Sequence, residues 1–192
     1  MTRFDQEYYR RYYLDHETQV ASAEETARLA RFVGSYVQYL NIKPESALDL
    51  GCGLGLWRAP LRKLFPDLEY RGVEVSEFLA HEFGWELGSV VDYDQAADLV
   101  VCQGVLQYLP ARAAERALRN LSRLAEQVLY LEVLTQEDWD EHCDQSVTDG
   151  DVYLRSADWY RRRIGRHFLP IGGGVFLPKD SPVVLYELER WR

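Results

Sequence analysis

Asp49-Leu50-Gly51-Cys52-Gly53-Leu54-Gly55 sets one carboxylate directly ahead of glycines at alternate positions. Glycine carries no Cβ and adopts backbone conformations that cost other residues energy, so such a turn lets a ligand approach the main chain. Asp49 stands where a carboxylate accepts hydrogen bonds from a ligand's donors. A second carboxylate, Glu74, falls near the end of the run Tyr70-Arg71-Gly72-Val73-Glu74-Val75. That is about twenty residues past the turn, where an acid bonds the ribose in nucleotide-binding βαβ units. Each feature has a plain structural reading, a strand-to-helix turn for the glycines and a solvated helix cap for Glu74 ahead of Ser76-Glu77. The pair together points to a nucleotide-type ligand. The dinucleotide fingerprint carries its third glycine one residue later, where this chain has Leu56.

Two other groups of side chains bear on chemistry. Tyr8, Tyr9, Tyr12 and Tyr13 recur at near-helical spacing, Tyr9 and Tyr13 on one face, and form either a lid or a helix packing its rings on the core. His142, in the acidic segment Asp138–Asp144, is the histidine to test first as a base, against the reading of a surface histidine. His142, Cys143 and Asp144 are consecutive and seldom point at one ion, so no metal is expected.

These residues need a frame. Ala47–Leu50, Tyr70–Val75, Leu87–Asp92, the almost wholly apolar Asp98–Cys102 and Gln127–Val133 read as strands. Between them, Leu56–Phe65 and Ala111–Ala125 read as helices, and Ser22-Ala23-Glu24-Glu25 is a capping-box start to another that ends at Lys43-Pro44. Ser156–Ile164 is a further short helix. Phe168–Pro178 and Val183–Arg190 read as two closing strands joined by a turn at Pro178–Pro182, with Gly172-Gly173-Gly174 a bend or bulge. Strands alternating with helices imply right-handed βαβ units, hence an α/β, three-layer, doubly wound and mostly parallel sheet with an N-terminal helical extension. The expected organisation is one domain over 1–192: an extension or lid at 1–43, a cofactor-binding core at 46–133, and an acceptor-side segment with closing strands at 134–192.

Composition narrows the partners. With 22 Lys+Arg against 31 Asp+Glu the net charge is −9, which argues against a nucleic-acid or anionic-membrane surface, because phosphate binding needs basic clusters. No apolar run is long enough to span a membrane. Cys52, Cys102 and Cys143 form no C-x-x-C pair, and the start leads into Tyr and Arg rather than an apolar core, so a reducing, cytoplasmic setting is expected.

The G-x-G-x-G turn after an acidic strand residue resembles motif I of the class I S-adenosylmethionine-dependent methyltransferases, and the similarity is best over residues 46–133. The resemblance implies seven strands closed by a C-terminal antiparallel hairpin, which is not expected of a dehydrogenase. It implies S-adenosylmethionine as cofactor, with Gly51, Cys52, Gly53 and Gly55 giving close backbone approach, Asp49 at the amino-acid end, and Glu74 and Val75 at the ribose. Gln103 would lie beside the methionine part. The adenine would sit at the end of the third strand, in one of two registers: at Gly88-Ser89, which loses the acid, or at Asp92, which supplies one and is favoured. Gln107 and Tyr108 would face the acceptor, unless they serve only helix packing and capping; Tyr9 and Tyr13 would line the same side. The implied function is in-line methyl transfer to a small molecule. A nicotinamide-dependent oxidoreductase and a cofactor-binding protein without transfer activity are the alternatives.

Overall fold

The computed structural model describes residues 4–10 and 22–186. Its frame is a seven-stranded sheet of order β3-β2-β1-β4-β5-β7-β6. The strands are β1 (Ser46–Leu50), β2 (Glu69–Glu74), β3 (Glu86–Leu87), β4 (Ala97–Gln103), β5 (Ala125–Glu132), β6 (Phe168–Gly172) and β7 (Val175–Pro178). β1 to β5 run parallel, and β7 is antiparallel to both its neighbours. The helices are α1 (Gln6–Tyr9), α2 (Ala23–Tyr39), α3 (Arg58–Leu64), α4 (Glu77–Phe83), α5 (Ala111–Leu124), α6 (Gln136–Glu141) and α7 (Ala157–Ile164).

Strand residues alternate between two apolar layers, as the period of two demands. Ala47, Leu99, Val101, Val128 and Tyr130 face the layer that holds Val33 and Val37 of α2 and Leu61 of α3. Leu48, Leu50, Val100, Cys102, Leu129 and Leu131 face the other, with Leu118, Leu121 and Leu124 of α5 and Ile164 of α7. Each fully buried leucine contributes about 1.5–3 kcal/mol of transfer free energy. The central strands are therefore apolar on both sides, and polar chemistry is confined to their ends.

Helix starts follow local sequence. Ser22 and Glu25 form the expected reciprocal capping box on α2. Ser76 caps α4 through the N–H of Leu79, and Thr135 with Asp138 closes a second box on α6.

Two expectations are corrected. The third strand is not Leu87–Asp92: β3 stops at Leu87, and after the Gly88 N–H donates to the Glu74 carbonyl at 3.0 Å the chain turns. The Ser89 hydroxyl accepts from the Val91 N–H and the Ser89 carbonyl from the N–H of Tyr93, local bonds that replace a ladder. The closing hairpin is β6–β7, and its turn is made by the glycines rather than by Pro178–Pro182. Gly172, Gly173 and Gly174 have φ of 94°, 59° and 76°, a region that residues with a Cβ adopt only at a cost. The rings of Phe32 and Tyr130 occupy the space where Cβ atoms on Gly173 and Gly174 would lie. Residues 183–186 form no strand, and 187–192 lie outside the described residues.

Candidate functional site

β1 leads to β2 on one side and β4 returns on the other, so the chain reverses direction across the sheet between β1 and β4. Open α/β sheets bind ligands beyond the strand carboxyl ends at such a point. The glycine turn lies there, with φ of 73°, 51° and 69° at Gly51, Gly53 and Gly55. Its beginning is tied to β2, because the N–H groups of Gly51 and Cys52 both donate to the Val73 carbonyl, at 2.8 and 3.2 Å.

The glycines meet different surroundings. A Cβ on Gly51 would stand 2.5 Å from Val105 Cγ2, and one on Gly55 only 2.4 Å from Trp85 Cζ2. A Cβ on Gly53 would meet nothing within 4 Å. Gly51 and Gly55 thus make room for side chains of the protein, and Gly53 leaves bare main chain facing a cleft. Both sides of the Gly53 residue are held: its N–H donates to Glu74 Oε2 at 2.9 Å, and its carbonyl accepts from Trp85 Nε1 at 3.0 Å.

Glu74 is 3% exposed at the end of β2, and its Oε1 accepts from the N–H groups of Val75 and Ser76 at 2.8 and 3.1 Å. Asp49, 2% exposed, accepts a hydrogen bond from the Tyr70 hydroxyl. Burial pushes the Asp49 carboxyl up to about 7; the Tyr70 bond opposes that rise and the charge of Glu74 adds to it. Burial also pushes the Cys52 thiol up, which keeps it protonated and inert.

At the end of β4, Gln103 is fixed from two sides. Trp57 Nε1 donates to its Oε1 at 2.9 Å, and its Nε2 lies 3.3 and 3.4 Å from the oxygens of Glu132, the last residue of β5. The Tyr130 hydroxyl donates to Glu132 Oε2 at 2.7 Å. Gly104, at φ 65°, then turns the chain into a single 3-10 turn, Leu106–Tyr108. Arg155 holds that turn by donating to the carbonyls of Leu106 and Leu109, and the Gln107 carbonyl accepts from the Tyr153 N–H at 2.7 Å. Gln107 is 7% exposed, and its Oε1 has no hydrogen-bond partner.

The N-terminal segment closes the top. Ser76 Oγ donates to the Phe4 carbonyl at 2.6 Å, the Phe4 ring meets Tyr8 and Tyr108 edge-on, and the hydroxyls of Tyr8 and Tyr108 are 2.9 Å apart. Tyr9 is buried.

Two neighbouring cavities result. The larger, about 440 Å³, is walled by Asp49, Gly53, Trp57, Gln107, Glu132 and Asp149 among others. The smaller, about 120 Å³, is walled by Glu74, Val75, Gly88, Ser89 and Val90. They share Tyr8, Tyr9, Gly51, Gln103, Gly104 and Tyr108.

Among the sequence-derived candidates, Asp49, Gly51, Cys52, Gly53, Glu74, Val75, Ser89, Gln103, Tyr9, Gln107 and Tyr108 all line these cavities. Asp92 does not: it is exposed and lines neither cavity, whereas Gly88 and Ser89 line the smaller one. Gly55 faces Trp85 instead of the cavity. His142 has a side chain 72% exposed, 3.9 Å from Glu141, and lines neither cavity. Tyr13 lies outside the described residues. Sequence reasoning missed Trp57, Trp85 and Glu132; only Glu132 carried a usable signal, an acid closing a strand as Glu74 does.

The fold matches known proteins. The family model of a methyltransferase domain matches residues 48–127. An O-methyltransferase family protein from Burkholderia thailandensis is similar over 83% of this chain, at 17% identity and a TM-score of 0.56. This chain spans only 59% of that protein's length. The PH0226 protein of Pyrococcus horikoshii OT3 is similar over 91% of this chain and 100% of its own, at 16% identity and a TM-score of 0.61. Magnesium protoporphyrin IX methyltransferase from Synechocystis PCC 6803, solved with bound S-adenosylmethionine, is similar over 84% of this chain and 79% of its own, at 18% identity and a TM-score of 0.59. A comparison with curated proteins found no match. Among the described residues no helix is long and apolar enough to cross a membrane. The sheet order is that of the class I, seven-stranded methyltransferase fold, and residues 48–127 match the methyltransferase-domain model.

Proposed function

We propose that this chain transfers a methyl group from S-adenosylmethionine to a small-molecule acceptor by in-line displacement. The observation that carries the proposal is the pair of cavities meeting at Gln103 and Gly104, one against Glu74 and the other running under Tyr8 and Tyr108. The open space at Gly53 fits a nucleoside cofactor passing close to bare backbone.

In this reading Glu74 accepts from the ribose hydroxyls while its remaining bonds hold the Gly53 and Val75 N–H groups in place. Gly88, Ser89 and Val90 form the wall at the adenine. Asp49 and Gln103 serve the amino-acid end, Asp49 as a buried acceptor and Gln103 as an amide already oriented by Trp57 and Glu132. S-adenosylmethionine, when bound, supplies a methyl group activated by its sulfonium. The protein then has to align the acceptor and exclude water. Tyr8, Tyr9 and Tyr108 roof the junction, and Gln107 lines the acceptor half.

Calorimetry with S-adenosylhomocysteine and with NAD tests the assignment. Heat with the first and none with the second is the expected result. Binding of NAD alone, or of neither compound, overturns it.

A further inference from the structure

Asp49 is a buried carboxyl with one oxygen bonded and one not. Tyr70 of β2 donates to its Oδ2, and at 2% exposure the residue is almost wholly cut off from water. Its Oδ1 has no hydrogen-bond partner among the described residues and is not sealed in the protein, and Asp49 forms part of the wall of the larger cavity. The surrounding elements bring no counter-charge to it. β2 presents Tyr70 and Glu74, the glycine turn Cys52, and β4 Cys102, while Arg58 at the start of α3 acts on the Tyr70 hydroxyl. Glu132, Asp138 and Asp149 share the cavity wall with it, and no Lys, Arg or His among the described residues joins them. A carboxylate taken out of water beside another carboxylate, with a single hydroxyl to support it, is the less stable form of the group. Burial accordingly pushes Asp49 up to about 7, with the Tyr70 bond opposing the rise and Glu74 adding to it.

We propose that below neutral pH Asp49 stands protonated in the free chain and gives up that proton when the ammonium group of S-adenosylmethionine reaches its Oδ1, with Tyr70 as the positioning residue that keeps Oδ1 toward the ligand. The inference rests on the methyltransferase reading above, which puts Asp49 at the amino-acid end of the cofactor. The O–H bond at Oδ1 breaks, its electron pair stays on the oxygen, and the proton leaves to solvent. An N–H of the ammonium then donates to that oxygen. The ligand thus brings the cation that the site lacks. S-adenosylhomocysteine carries the same amino-acid end, so Asp49 stays ionised through methyl transfer and takes a proton back when the product leaves.

Proton release is read by calorimetry of S-adenosylhomocysteine binding at about pH 6.5 in phosphate and in imidazole, two buffers that differ in ionisation heat. At least about half a proton per ligand is expected, since an opposite charge at hydrogen-bond distance lowers the pKa of a carboxyl by about 1–3. For the same reason affinity should rise about 5–25-fold between about pH 5.5 and 7.5. 5′-Methylthioadenosine, which lacks the amino-acid end, should release no proton and bind almost independently of pH. Asp49→Asn should flatten the profile for S-adenosylhomocysteine. Tyr70→Phe removes the bond that favours the carboxylate, so the rise in affinity should move to higher pH, whereas a merely structural Tyr70 leaves its position unchanged. This variant and the nucleoside comparison decide the matter if Asp49→Asn does not fold. No proton release, equal release with both ligands, an unmoved profile in Tyr70→Phe, or an Asp49→Asn protein with the wild-type profile overturns the inference while the cofactor assignment stands. Failure of S-adenosylhomocysteine to bind at any of these pH values overturns both.

Discussion

Gly55→Ala and Gly53→Ala look equivalent in the sequence and are expected to fail in different ways. Both put a Cβ at a positive φ, which costs roughly 1–2 kcal/mol for an L-residue. At Gly55 the new methyl would also lie 2.4 Å from Trp85 Cζ2 and 2.8 Å from Cη2, atoms of a rigid ring. Trp85 cannot move aside cheaply, because its Nε1 is bonded to the Gly53 carbonyl, it stacks on Phe83 and its ring also fills the space at Gly72. Overpacking adds about 1–3 kcal/mol, so Gly55→Ala should destabilise by about 2–5 kcal/mol and Gly53→Ala by only about 1–2 kcal/mol. Affinity for S-adenosylhomocysteine should rank the other way, with Gly53→Ala losing at least about tenfold because its methyl enters the cleft. Urea unfolding and calorimetry on both variants give the two rankings. A double-mutant cycle with Trp85→Ala sharpens the test. Once the ring is gone, Gly55→Ala should cost only its backbone strain, leaving a coupling of about 1–3 kcal/mol. Additive single and double variants, or a Gly53→Ala protein that binds like wild type, would refute the division of labour among the glycines.

Two further expectations concern the carboxylates. The folded-state pKa of Asp49 is about 7 against an ordinary 3.8, so over that interval the folded chain holds the proton that the unfolded chain has lost. Its favourable contribution is complete below the unfolded value and is lost as pH rises through the folded one. Asp49→Asn should remove this part of the pH slope, up to about 4 kcal/mol between about pH 4 and 7. Urea midpoints across that range check it, and parallel profiles for wild type and variant would sink the argument. Glu74→Ala strands the N–H groups of Gly53, Val75 and Ser76, so it should cost about 2–4 kcal/mol of stability besides cofactor affinity. A variant of wild-type stability that has lost only binding would show that these bonds are not needed to hold the turn.

What could be read from the sequence is what the chain carries locally. The glycine turn and Glu74 stood out because a strand, a turn and an acid recur at fixed offsets, and the apolar run at Leu99–Cys102 announced a strand buried on both faces. What could not be read depends on partners far apart. Trp57, Gln103 and Glu132 form one hydrogen-bonded row, yet Trp57 and Gln103 are 46 positions apart and Gln103 and Glu132 are 29. Gly55 looked like a ligand contact until the ring of Trp85 was seen against it. Asp92 stands out for its charge, whereas local bonds to Ser89 turn the chain there and leave Asp92 exposed. The closing turn was misplaced for a similar reason. Two prolines at 178 and 182 look like stronger punctuation than three glycines, but the packing of Phe32 and Tyr130 against that glycine corner decides the matter.

The position of β7 bears on how the protein is made. Because it is inserted between β5 and β6, the outer side of β5 has no pairing partner until Val175–Pro178 has been synthesised. While those residues are still inside the ribosome, a nascent chain can bring β1 to β5 together but shows a row of open N–H and C=O groups along β5, the kind of border that recruits strands from other molecules. The last few residues of the sheet to emerge are thus the ones that seal it.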